Sequence, residues 1–109
     1  MLSQMQRREL ELAGHDLIDA IDSSWDTFQV LLQLWDRSKL GFIGQELQPD
    51  PSSTLMAVQA QALGIKTLAK WLKELGGEVG IKYYNIGQAR LDALQRELDA
   101  RGLVLPDQK

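Results

Sequence analysis

HDLIDAIDSSWDTFQVLLQLWDRSKL, residues 15–40, places apolar side chains at Ile18, Ile21, Trp25, Phe28, Leu32 and Trp35, at spacings of three and four. That is the period of an α-helix with one buried stripe. With Leu17 and Leu31 the positions fill an arc about 140° wide, enough for a core-facing stripe. The aromatic members lie on this stripe, so core packing rather than a ligand wall is their expected role. Residues 2–13 are also helix-compatible. Gly14, however, costs about 1 kcal/mol against Ala inside a helix and marks a kink or a break, so one helix or two can precede residue 40.

Working outward, Gly41, Gly44, Pro49 and Pro51, followed by Ser52, Ser53 and Thr54, mark an internal connection over 41–54. Proline restricts the residue before it, and Ser or Thr suits a helix N-cap. A second helix is expected to begin near Ser52, run to about Leu75 and stop at Gly76-Gly77. Val58, Ala62, Ile65, Ala69, Leu72 and Leu75 form its main apolar face. Met56, Ala60, Leu63 and Trp71 load a second flank, leaving Gln59, Lys66, Lys70 and Lys73 as the polar strip. A helix apolar around most of its circumference is central in the fold or shared with another chain. Trp71, with Met56 and Leu63 nearby, is either a second core layer or an interface anchor, so Met56, Ala60, Leu63 and Trp71 are the interface candidates.

Val79, Ile81 and Tyr83 alternate with Gly80, Lys82 and Tyr84, the pattern of a short strand or extended segment over 79–84. Asn85 and Gln88 have the spacing of a capping box, which starts the last helix near residue 86 and carries it to about 101. Its stripe is Gly87, Leu91, Leu94 and Leu98, and 106–109 read as a polar tail. The expectation is an all-α single domain over residues 1–109, a small bundle of three or four helices.

Composition narrows the chemistry. The 109 residues are 44% hydrophobic and 25% charged, which is ordinary for one globular domain. With no Cys and a single His, thiolate nucleophiles, disulfides, zinc sites built on Cys and His-rich metal sites are excluded. No cofactor is expected. No stretch approaches a membrane span and the N-terminus lacks an apolar signal region, so a cytoplasmic protein without membrane contact is expected. The serines have only His15 as an imidazole base and no G-x-S-x-G elbow, and no Walker loop occurs. Catalysis has no visible machinery.

Charge is unevenly spread. Residues 1–50 hold four basic and nine acidic side chains, whereas residues 51–109 hold eight basic and six acidic. Each half is suited to recognise the other, within a chain or between chains. Glu11, His15, Asp19, Asp22 and Asp26 lie within roughly 80° of one another on a continuous helix, an acidic stripe. All-helical nucleotide pyrophosphohydrolases hold Mg²⁺ or Mn²⁺ between helix-borne carboxylates, but their paired E-x-x-E signature is missing and no second helix offers a comparable acidic pair. The expected role of the stripe is electrostatic. Lys66, Lys70 and Lys73, with Lys82 nearby in sequence, form a basic stripe able to hold a phosphate backbone by point charge. The net charge of -3 opposes that use, since nucleic-acid binding rests on neutralising phosphates.

Residues 62–75, followed by Leu91 to Leu94 and residues 101–104, resemble the helix, recognition helix and wing of helix-turn-helix proteins over about half the chain. The resemblance departs at Asp92, Glu97 and Asp99, which put acid on the would-be recognition helix, and no second wing strand is expected after residue 104. The reading that remains is a non-enzymatic helical interaction or assembly protein: a subunit or adaptor of a larger complex, or a homo-oligomer. The alternatives are an accessory protein of a nucleic-acid machine using the lysine stripe, and a metal-dependent nucleotide or phosphoester hydrolase using the acidic one.

Overall fold

A computed structural model of the chain describes residues 3–39 and 50–106. They form three helices in up-down-up order, α1 (Gln4–Lys39), α2 (Pro51–Glu74) and α3 (Gly77–Ala100), with no strand among the described residues. Positions 41–49 of the expected connection and 107–109 of the polar tail lie outside the described residues.

Helix α1 is one helix, uninterrupted at Gly14. Its start is a capping box at Ser3 and Gln6, where the Gln6 amide donates to Ser3 Oγ (3.1 Å) and the Ser3 amide donates to Gln6 Oε1 (2.9 Å). Gly14 is buried under the ring of Tyr83 from α3. A Cβ placed there would stand 2.5 Å from Tyr83 Cδ2 and 2.7 Å from Cγ. The glycine therefore makes room for an aromatic ring rather than bending the helix. The helix-propensity cost of about 1 kcal/mol is offset by burying that ring, since a large buried side chain contributes about 1.5–3 kcal/mol.

Helix α2 starts at Pro51, one residue before the expected Ser52, and its N-cap is Asp50 rather than a Ser or Thr. The Asp50 carboxylate accepts from the Ser53 amide (3.1 Å) and from the Ser53 hydroxyl (2.8 Å), and Pro51 occupies the first turn, where its missing N–H costs nothing. Residues 51–54 are thus helix, not connection. Helix α2 ends at Glu74, and Gly76 (φ 76°) and Gly77 (φ 61°) supply the left-handed backbone that reverses the chain.

The expected extended segment over 79–84 is helical, and Asn85 is interior to α3 instead of capping it. Tertiary packing overrides the local alternation. Val79, Gly80, Tyr83 and Gly87 recur at helical spacing and all are buried, Tyr83 in the notch at Gly14 and Gly87 against Leu72 of α2. A Cβ on Gly87 would stand 2.7 Å from Leu72 Cδ1, so this glycine sets the close approach of α2 and α3. The C-terminus closes with Leu103 N–H on the Leu98 carbonyl (2.9 Å) and Gly102 N–H on the Asp99 carbonyl (3.0 Å), a Schellman motif.

The core runs the length of the bundle through Ile21, Phe28 and Leu32 of α1, Val58, Ala62, Ile65 and Leu72 of α2, and Tyr83, Leu94 and Leu98 of α3. Helix α1 and helix α3 are parallel and in register, since Asp22 meets Arg90 and Asp36 meets Arg101. Helix α2 runs between them in the opposite sense, with Gln61 donating to the Ser24 carbonyl at 3.2 Å. The molecule measures 62 × 24 × 20 Å. Its radius of gyration of 17.2 Å exceeds the roughly 13 Å of a compact domain this long, so a large share of each helix faces outward. Among the described residues no helix is long and apolar enough to cross a membrane.

Candidate docking surface

Helix α2 buries Thr54, Val58, Ala62, Ile65, Ala69 and Leu72. At about 100° per residue, Met56, Ala60, Leu63, Thr67 and Trp71 project from the opposite side, within roughly 80° of one another. Met56 is 70% exposed and Trp71 49% exposed, Ala60 is exposed and Leu63 half-buried. Trp71 is therefore not a second core layer. The four interface candidates share one outward seam about 22 Å long, at the 1.5 Å rise of a helix. Thr67 completes it. Its hydroxyl donates to the Leu63 carbonyl (3.0 Å), so it makes no further polar demand on the seam. Small Ala60 and Thr67 lie between the large Met56 and Trp71, a profile that admits another helix at close range.

The lysines edge this seam on the side nearest α3. Lys66 is half-buried and Lys70 exposed, and neither has a carboxylate within ion-pair reach among the described residues. Lys73 is held over the ring of Tyr84 at 5.7 Å. Lys82 lies elsewhere. Its ammonium sits 5.3 Å from the Tyr83 ring, and two helical positions separate it by about 160° from Tyr84 on α3. The four lysines therefore do not make one continuous basic surface.

The acidic stripe stays on one side of α1 because the helix is continuous, but its countercharges are arginines rather than the lysines. Asp22 pairs with Arg90 of α3 at 3.1 and 3.3 Å. Glu11 pairs with Arg7 at 3.8 Å, and Arg7 also reaches Glu78 at 3.7 Å. His15 is exposed and its ring stands nearly perpendicular to that of Tyr83, with 5.3 Å between ring centres. Asp19 and Asp26 are exposed and reach no cation among the described residues. Lateral spacing on one helix does not make the carboxylates converge, and no group of three or more acidic or imidazole side chains is placed to hold a metal among the described residues.

Sequence reasoning missed two contacts. Arg101 makes a paired hydrogen bond to Asp36 (2.8 and 2.9 Å) and a further one to Glu97 (3.0 Å). The hydrogen bond to Asp36 is the main reason the Arg101 guanidinium is held above its usual range. The Glu97–Arg101 spacing of four was a readable signal; the Asp36 partner, across the bundle, was not. Trp25 is half-buried, packs on Phe28 at 5.5 Å between ring centres, and lines an open groove of about 310 Å³ with Asp22, Ala89, Arg90 and Ala93.

The described residues form an elongated three-helix bundle whose α2 carries an apolar outer seam. Comparison with protein families, with curated proteins and with solved structures finds no match to this chain. The 24-residue α2 and α3 pack along their lengths, and no wing strand occurs among the described residues, which departs from the helix-turn-helix layout.

Proposed function

We propose that this chain is a helical interaction protein that uses the outer face of α2 to dock another helix. The observation that carries the reading is the exposure of Trp71 and Met56 on the side of α2 turned away from a core that is already closed. Large apolar side chains aligned at helical spacing, with small ones between them, are the anchors and the recess of a helix-on-helix contact. In this reading the ion pairs of α1 and α3 hold the bundle in register, and the seam carries the activity. No reaction is assigned to the chain.

The test is a photo-crosslinking amino acid at Thr67, in the middle of the seam, with the full chain expressed in its own cells. The reading expects one dominant crosslinked species. A crosslinker at Asp92, on the far side of α3, is expected to give none. Equal or absent crosslinking at the two positions would contradict it.

A further inference from the structure

We infer that the occupant of the α2 seam is an amphipathic helix of another protein, with carboxylates along the edge that lies beside Lys66 and Lys70. The inference rests on the docking role proposed above and adds the chemistry of the partner. Lys66 and Lys70 flank the seam one turn apart, and no carboxylate lies within ion-pair distance of either among the described residues, Glu74 four positions after Lys70 included. Lysines left unpaired beside an apolar strip repel a basic helix and attract an acidic one, and this discrimination sets orientation as well as partner choice.

A second copy of α2 does not supply that chemistry. Its single carboxylate is Glu74, in its last turn. In a two-fold antiparallel pairing the same flank of each helix lies on the same rim, so the lysines of both copies would share one edge. In a parallel pairing the lysine edge would meet Ala57, Gly64 and Leu68, which carry no charge. The outer face of α1 does bear Asp19 and Asp26, but between them its exposed side chains are Asp22 and Ser23, with no large apolar group to fill the seam; a second copy docked there would form a two-fold dimer, a ring or a filament.

The probe is a pair of labelled helical peptides of about 16 residues, the length of the seam. Both carry leucine at every third and fourth position; one has glutamate along the flanking edge and the other lysine. Fluorescence anisotropy with the full chain should show binding of the glutamate peptide, weakened by salt, and at least about tenfold weaker binding of the lysine peptide. Trp71→Glu, or Met56→Glu as a second variant, should abolish binding. Lys66→Glu with Lys70→Glu should reverse the preference. Equal binding of both peptides, still dependent on Trp71, would overturn the acidic partner while leaving helix docking intact. Binding of neither would overturn the inference, and absence of crosslinking at Thr67 as well would remove the docking reading with it. Self-association of the chain alone, as a dimer, a ring or a filament, lost on Asp19→Asn and Asp26→Asn, would overturn it by making a second copy the occupant.

Discussion

Gly14 and Tyr83 fit as notch and ring: the α1 glycine lies where any side chain would collide with the aromatic ring of α3, at 2.5 Å for a bare Cβ. This contact fixes the parallel register of the two helices at one end of the bundle, as Asp36 and Arg101 fix it at the other. The residue with the poorest helical propensity in α1 is thereby one of its packing determinants.

Two glycine substitutions should consequently have opposite signs. Gly14→Ala gains helix propensity but overpacks against Tyr83, and should destabilise by about 1–3 kcal/mol. Gly64→Ala places a methyl on α2 where nothing lies within 4 Å, and should stabilise by about 0.5–1 kcal/mol. Urea unfolding of the two variants checks both. Equal effects would contradict the notch.

The Tyr83 hydroxyl is buried without a hydrogen-bond partner among the described residues. A buried unpaired hydroxyl costs about 1–3 kcal/mol, so Tyr83→Phe should leave the chain at least as stable as before, with a gain of about 1 kcal/mol. A clear loss in thermal unfolding would show that the phenol is engaged.

Asp50 titrates against α2. The hydrogen bond from the Ser53 side chain is the main cause holding its carboxyl below the usual value of 3.8. A carboxyl lowered in the folded state adds stability above its unfolded value, and that contribution disappears as the pH falls through the lower folded value. Asp50→Ala should therefore destabilise the chain at neutral pH, and the deficit should shrink below about pH 3.9, the unfolded aspartate value. Asp50→Asn, which still caps, should lose less at neutral pH than Asp50→Ala. Unfolding curves at neutral and acid pH decide it.

Asp22 and Arg90 are partly exposed, so their ion pair should contribute no more than about 1 kcal/mol and less in high salt. Asp22→Asn should leave the helix content unchanged. Calorimetric titration with Mg²⁺ and Mn²⁺ should give no saturable binding. Saturable binding that vanishes in the Asp19→Asn, Asp22→Asn variant would bring phosphoester hydrolysis forward.

Much of this fold is readable from spacing alone. Ile21, Phe28, Leu32 and Trp35 of α1 and Val58, Ala62, Ile65 and Leu72 of α2 sit on the stripes their periodicity defines, and all are buried. Helix α3 is harder, because Val79, Ile81 and Tyr83 match a strand period, and the contacts that favour the helix are distant in sequence, Tyr83 in the notch at Gly14, 69 positions upstream, and Gly87 against Leu72. The Asp50-Pro51 pair was the true start signal for α2, and Ser3-Gln6 the true capping box; Asn85-Gln88 has the same spacing inside a helix. The wheel placed Trp71 off the core stripe. Whether that flank is covered depends on where α1 and α3 pack, which spacing on α2 does not encode.

Trp71→Glu tests the docking surface most directly, read in two ways on the same protein: thermal unfolding and crosslinking from Thr67. An exposed seam residue predicts a stability within about 0.5 kcal/mol of the parent, the range of surface substitutions, together with loss of the crosslinked species. A chain that unfolds on this substitution, or one that crosslinks as well as before, would contradict the assignment of α2's outer face as a docking surface.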